Sequence, residues 1–593
     1  MTISPRWTVC AMAVLVAAST PIGSAPDQGV PSKDGIVVCT SAPACDAGAA
    51  ILERGGNAVD AAVATAFALA VTHPSAGNIG GGGFMMVRSA DGNVTSFDYR
   101  EKAPGKSTRT MYMRDGKVDI SLTNEGYLAP GVPGTVRGLA LAHKRFGKLA
   151  WKDVVMPAVA MAEGGFVLSP ALARSLNSQL FPTERNGAPS GGVMAKYPAS
   201  VAAYGKPGGG QWAAGDQIVL GDLAKTLRAI ASQGPDVFYK GWIADRIAED
   251  MAAHGGLITK EDLAAYQAKE RTPVTGTFRG YDIAAMPPPS SGGVAMIEML
   301  NILEGYDLKS KGAASAQAKH LEIEAMRRAY LDRARFLGDS DLVQVPIATL
   351  TSKDHAKDVA ATIDPAKASI SAILGKDILT TTVPAEPDET THFSVIDRRG
   401  MAVSNTFTLE GGYGSRVVVN GAGFLLNNEM GDFNKNPGVT DERGTIGTPA
   451  NLIDPGKRML SSMSPAIISR NGRPVLITGS PGGRTIINTV FNVVLNVLEF
   501  GMNVREAVDA PRMDHEWMPD TVHIERAGAD QALLDALAAM GHAGVTAGGA
   551  QGDANSIAVD ASGTAWGAAD TSRSADGKAS PAAAHLTSAG PRK

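Results

Sequence analysis

The 593-residue sequence predicts an α+β protein, on three observations. Residues 44–70, ACDAGAAILERGGNAVDAAVATAFALA, are dense in alanine and read as helix. Residues 390–409 are rich in β-branched and aromatic positions around a glycine-containing turn, the pattern of a strand pair. Short β-rich runs at 273–286 and 466–478 each lead through glycines into an apolar helical stretch.

In chain order, Arg6, the apolar run 8–18 and the small residues 23–25 have the layout of a secretory signal peptide, with cleavage expected near Ala25. That run is too short to span a bilayer, and no later run is long enough. The expectation is a signal at 1–25 and an exported product, periplasmic or secreted, with no membrane helix. Cys10 would leave with the signal, so Cys39 and Cys45 remain. An oxidising compartment favours their pairing, while six residues across a strand-to-helix boundary weigh against it, and the sequence leaves the matter open. Lys and Arg (55) do not exceed Asp and Glu (59) and form no basic block, which argues against a nucleic-acid surface. Neither the cysteine spacing nor the ten histidines make a zinc pattern.

Gly35–Cys39 reads as a buried strand; 44–70 reads as two helices broken at Gly55-Gly56, with Asn57 capping the second and His73-Pro74 ending it. Gly80 to Gly83 imply a tight backbone approach before a strand, and without a GKS/T ending they do not make a phosphate loop. Arg100 follows a second strand and has the fork geometry that suits a carboxylate. Residues 149–180 are helical with an interruption at Gly164-Gly165, 187–210 is expected to be an irregular surface loop, and 223–251 returns to helix. After the strands of 273–286, Ser290-Ser291 reads as a cap for the helix 294–303. Another helix covers 320–336.

The Pro-rich acidic run 383–389 then reads as an exposed linker leading into the strand pair that Thr390 heads. If the bond between Glu389 and Thr390 is cut, the new α-amine, with an ordinary pKa of about 7.7 to 8, can take the proton of its own residue's Oγ. Downstream, 424–433 combines an apolar strand with an acidic end at Glu429 and Asp432. Gly482-Gly483 sits between a strand and a long helix, where successive N–H groups can converge on an oxyanion. The tail 577–593 has the composition of a disordered segment.

The ordered series ETTHFSVID, LLNNEMGDF, LSSMSP and GSPGGRTIINTV resembles the γ-glutamyltransferases, or glutathione hydrolases. GGNAVDAAVATA, GGGGFM, DYREKAP, PPPSSGG and DAPRMDHEW extend the likeness over about 35–577. The resemblance implies the N-terminal nucleophile hydrolase fold, a four-layer αββα sandwich, made as a precursor that cuts itself before Thr390. A large subunit, 26–389, and a small one, 390–593, would form one interwoven heterodimer. It implies Thr390 as nucleophile and base, Thr408 as its hydrogen-bonding partner, and Gly482 and Gly483 as oxyanion donors. Arg100, Ser461 and Ser462 would hold the substrate α-carboxylate, and Glu410, Glu429 and Asp432 its α-amine. The substrates would be glutathione and related γ-glutamyl compounds, the acceptors water, amino acids or dipeptides, with no metal and no organic cofactor. In two places the sequence departs from the commoner pattern: Glu410 stands where many relatives have Asn, and in 437–455, the length of a lid, Arg443 stands where an aromatic gate is expected. The rival readings are a glutaryl or cephalosporin acylase of the same fold and an unprocessed, non-catalytic binding protein.

Overall fold

The computed structural model describes residues 27–185, 188–380 and 390–583. The expected signal peptide, Glu389 and residues 584–593 lie outside them.

Two seven-stranded antiparallel sheets form the centre of the molecule. The first runs Lys269–Arg271, Val94–Asp98, Gly82–Arg88, Ala402–Thr408, Thr391–Asp397, Gly35–Cys39, Lys578–Pro581. The second runs Val30–Ser32, Ala565–Ala568, Ser556–Val559, Arg473–Thr478, Ala466–Arg470, Tyr281–Ala285, Val274–Phe278. Strand periodicity explains how they pack. Side chains alternate between faces, so Val37, Val87, Phe393, Val395 and Val403 enter one hydrophobic cluster with the helices Ala42–Glu53, Ala58–Thr72 and Trp151–Gly164. Ile36, Val38, Met86, Ile396 and Ala402 face the other way and join Ile467, Ile477 and the helices Gly292–Leu303, Ala316–Phe336 and Ile486–Leu498.

The helix pair after the first buried strand forms for local reasons. Asn57 accepts hydrogen bonds from the Val59 and Asp60 N–H groups, and Asp60 accepts one back from Asn57 N, a capping box that starts the second helix. The four glycines are needed for space. A Cβ at Gly80, Gly81 or Gly83 would lie 2.1, 2.0 or 2.5 Å from the chain at Leu425, Thr408 or Phe407. Cys39 and Cys45 are joined by a disulfide, their Cα atoms 5.7 Å apart, because the helix begins at Ala42 and turns Cys45 back over the strand end.

Several expectations are corrected. The Gly/Pro-rich stretch 187–210 is not all irregular: Pro198–Tyr204 is a helix that buries Ser200 and Tyr204. The segment 424–433 is not a strand; Leu425 makes an isolated bridge to Val418, and Glu429–Asp432 is a 3-10 turn. Residues 577–593 are not a disordered tail from their start, since Lys578–Pro581 pairs with Gly35–Cys39 at the sheet edge. Ser290 and Ser291 cap the helix that follows only in part: Ser290 Oγ accepts from Gly292 N, its first N–H, at 3.1 Å, and no Ser291 side-chain cap bond is made. Ser291 N and Oγ both donate to Ser461 O, at 2.8 and 2.7 Å, and Ser290 Oγ donates to Met463 O at 2.6 Å.

Candidate active site

Sheet register brings the site together. Thr391 pairs with Phe407, so continuing the ladder by one residue sets Thr390 opposite Thr408. Thr408 Oγ1 donates to Thr390 Oγ1 at 3.4 Å. Alternation also decides which way Thr390 looks. Its strand neighbours of the same parity, His392 and Ser394, lie between the sheets, where Ser394 Oγ donates to Asn555 O at 2.8 Å. The His392 ring bridges Thr406 and Ser394, and burial lowers its pKa to about 3, so it is a neutral spacer.

Thr390 and Thr408 line a small cavity with Arg100, Glu410, Glu429, Asp432, Ser461, Ser462 and Gly483. Arg333, Met463, Arg484 and Ile486, which the sequence reading did not single out, line it too. Gly482 does not line it but precedes Gly483 in a turn where φ is +127° and +52° in succession, in the region that favours glycine. Neither N–H group donates to an acceptor among the described residues.

One wall is ionic. Arg100 is fully buried and donates to Glu429 through Nη1, to Asp432 through Nη2, and to Leu460 O at 3.1 Å. Glu101 lies 3.7 Å from the same guanidinium, and neither of its carboxyl oxygens has a hydrogen-bond partner among the described residues. Burial alone would weaken the charge on Arg100, but Glu429, Asp432 and Glu101 outweigh it and hold the guanidinium protonated. Three carboxylates on one cation is an excess of negative charge. Burial, only partly offset by Arg100, pushes Glu101 up to about 8 and Glu429 well above the usual carboxylate range.

Serines adjoin the ionic wall, since Leu460, whose carbonyl accepts from Arg100, leads directly into Ser461 and Ser462. Arg333, on the helix Ala316–Phe336, donates from Nη2 to Ser462 Oγ and from Nε to Ser291 Oγ, both at 2.9 Å. It ties the Ser461-Ser462 segment to the start of the helix Gly292–Leu303. Glu410 stands at φ +77°, an uncommon conformation for a residue with a Cβ, and its carboxylate accepts a hydrogen bond from Asn428 Nδ2. Such strain concentrates at functional positions. A larger cavity adjoins this one and shares Arg333, Glu410, Asp432 and Arg484 with it. The loop after Asp432 borders the larger cavity through Asn434, Arg443, Gly444 and Thr445, and folds on itself by bonds from Gly438 N to Gly447 O and from Asp441 N to Thr445 O. Arg484 Nη1 donates to Gly444 O at 3.2 Å and so links that loop to the turn at Gly483.

Two facing antiparallel sheets, with a pair of hydroxyls at a strand end and an ionic wall in the same cavity, define an enzyme of mixed α+β architecture. The chain belongs to the gamma-glutamyltranspeptidase family, whose sequence model matches residues 44–580. It is 46% identical over 545 residues to the glutathione hydrolase proenzyme of Escherichia coli (strain K12), covering 91% of each chain. Among solved structures it is similar to a cephalosporin acylase from Bacillus halodurans, with a TM-score of 0.80 and 27% identity, covering 97% of this chain and 100% of that one. It is also similar to the gamma-glutamyltranspeptidase of Helicobacter pylori, with a TM-score of 0.53 and 43% identity, covering 55% of this chain and 91% of that one.

Proposed function

We propose that the chain is a precursor that cuts itself between Glu389 and Thr390 and then transfers the γ-glutamyl group of glutathione and related amides to water, amino acids or dipeptides. The observation that carries this reading is the placement of Thr390 beside Thr408 in a cavity walled by Arg100, Glu429 and Asp432. A γ-glutamyl group presents an amino-acid head at one end and an acyl carbon at the other, and the cavity has chemistry for both.

In the cut enzyme the Thr390 α-amine takes the proton from Oγ1, which attacks the γ-carbonyl carbon. The N–H groups of Gly482 and Gly483 receive the oxyanion; one such donor is worth about 10² to 10³ in rate. The C–N bond breaks, the departing amine leaves with the proton, and a γ-glutamyl ester remains on Thr390. Water or an acceptor amine attacks that ester with the same base. Before the cut, the nitrogen of Thr390 is an amide and cannot act as a base.

The head group is held by exchange of ion pairs. The substrate α-carboxylate takes the Arg100 guanidinium with the Ser461 and Ser462 hydroxyls, and the α-ammonium takes Glu429, Asp432 and Glu410. No buried charge is left alone, which is what makes a buried ionic site tolerable. The same reading includes a four-layer αββα architecture, subunits 26–389 and 390–593, and export after removal of 1–25. Among the described residues no helix is long and apolar enough to cross a membrane.

Denaturing electrophoresis with N-terminal sequencing tests the cut: one fragment should begin Thr390-Thr391-His392, and Thr390→Ala should stay whole. A well-folded wild-type protein that remains a single chain would overturn the reading in favour of a binding protein. An assay on glutathione with and without an acceptor dipeptide tests the transfer. The acylase rival shares nearly the whole backbone, yet a glutaryl substrate has no α-amine for three acids to hold. Turnover of a glutaryl anilide faster than of a γ-glutamyl anilide would decide for the acylase.

A further inference from the structure

Away from the cavity, Glu298 on Gly292–Leu303, Asp332 on Ala316–Phe336 and His355 on Lys353–Ala360 direct one ligand-type atom each at a common point, all within 4.8 Å of one another. Glu298 is 1% exposed and Asp332 8%, while His355 reaches the surface. His355 Nε2 lies 3.4 Å from Asp332 Oδ2 and 3.7 Å from Glu298 Oε1. Neither His355 Nε2 nor Glu298 Oε1 has a hydrogen-bond partner among the described residues. The spacing is long for a hydrogen bond but natural across a small cation: ligands bound tetrahedrally at about 2.0 to 2.2 Å sit roughly 3.4 Å apart.

We infer that Glu298, Asp332 and His355 form a binding site for a divalent cation of the zinc class, with water completing a tetrahedron. Two carboxylates and one imidazole are a zinc-compatible donor set, and the metal would sit where His355 Nε2 now faces Glu298 Oε1 and Asp332 Oδ2. The nearest competing charge is Arg335, whose Nη1 lies 3.5 Å from the other carboxyl oxygen of Asp332, leaving Oδ2 to face the imidazole.

A second trio, His320, Glu324 and His542, is also compact. It does not suit a cation. His320 and His542 already share a hydrogen bond of 2.8 Å, Glu324 is paired with Arg327 and Arg328, and Arg327 lies against His542. That trio serves as an internal control.

The site would be structural, clamping three helices. Asp332 adjoins Arg333, which bonds Ser462 in the catalytic cavity, so the clamp steadies the helix that positions the serine wall.

The test uses the tag-free, full-length protein stripped with chelator. Zn²⁺ is titrated by calorimetry, and Co²⁺ is substituted to read tetrahedral coordination by its visible absorption. The expected result is one equivalent bound, a midpoint of thermal unfolding that rises with free Zn²⁺, and cobalt bands in wild type and His542→Gln alike. Losing a ligand should cost at least the roughly 10- to 100-fold in affinity seen for outer partners, so Glu298→Gln and the surface variant His355→Ala should both lose the bands. Absence of stoichiometric binding to wild type, or bands that survive in folded His355→Ala, would overturn the site. So would their loss in His542→Gln alone.

Discussion

Thr390 depends on neighbours that do nothing chemical themselves. Its Oγ1 accepts a cross-strand hydrogen bond from Thr408, whose own Oγ1 also accepts from Glu410 N at 2.8 Å. Thr408→Val keeps the shape and removes the hydroxyl. A net hydrogen bond of about 1 kcal/mol corresponds to roughly fivefold in rate, so kcat for γ-glutamyl anilide should fall about fivefold or more while KM changes little. A matched rise in KM with kcat intact would instead place Thr408 in substrate binding. Arg100 is the opposite kind of residue. It pairs with two buried acids, Glu101 and Glu429, and with the half-buried Asp432, so Arg100→Met should destabilise the fold by about 3 to 5 kcal/mol, the cost of breaking a buried ion pair from one side. The measurement is the denaturation midpoint of the purified variant. Arg100→Lys keeps the charge and loses the fork; it should recover much of the stability while KM for γ-glutamyl substrates stays raised.

At the scale of elements, the helix Ala316–Phe336 holds the most concentrated buried charge. Burial alone would push the Glu324 carboxyl up, but Arg327, Ser369 and Arg328 outweigh it and hold it at about 2, below its ordinary 4.5. A carboxylate depressed in the folded state contributes stability that is complete above about pH 4.5 and is lost as pH falls toward about 2. The amount is on the order of 3 kcal/mol. Glu324→Gln should therefore lower stability at neutral pH and flatten the acid limb of the unfolding curve; an unchanged acid limb would contradict this. Losing the Asn57 cap should cost about 1 kcal/mol in Asn57→Ala, read as a lower thermal midpoint. That cap was legible in the sequence because capping is local: Asn57, the preceding glycines and the alanine run suffice to place it. The hairpin behind Thr390 was legible for the same reason. Arg333 was not, because a basic residue among the charges of a 21-residue helix gives no sign of whether it meets solvent or Ser462. Nor was the role of Ser290-Ser291, since a serine pair before a helix reads as a cap until its partner 170 residues away is known. The trio of Glu298, Asp332 and His355 has no motif spacing because each member comes from a different helix. Most residues of the cavity could be named beforehand only because they sit in short ordered motifs; their convergence depends on sheet register.

For the whole molecule, the order of strands across the sheets matters more than their number. In the first sheet, Ala402–Thr408 and Thr391–Asp397 lie between Gly82–Arg88 and Gly35–Cys39, and Lys578–Pro581 closes the edge beyond. Strands from before and after the proposed cut are therefore interleaved in one sheet. The second sheet repeats the arrangement, with strands of 466–568 flanked by Val30–Ser32 and Tyr281–Ala285. The cut protein should give two bands on a denaturing gel yet elute as one species from gel filtration; separate elution of the fragments would refute the interwoven arrangement. The interleaving also changes the molecularity of folding. The uncut chain folds as one molecule, at a rate independent of its concentration. After the cut, the same fold can be regained only by the encounter of two fragments, each missing the central neighbours of its own strands. Refolding of denatured mature protein should thus be slow, second order and prone to aggregation, while uncut Thr390→Ala refolds in a first-order process. The proposed cleavage would then act in one direction: folding must come first, and once the bond is broken any unfolding of the cut protein is not readily reversed.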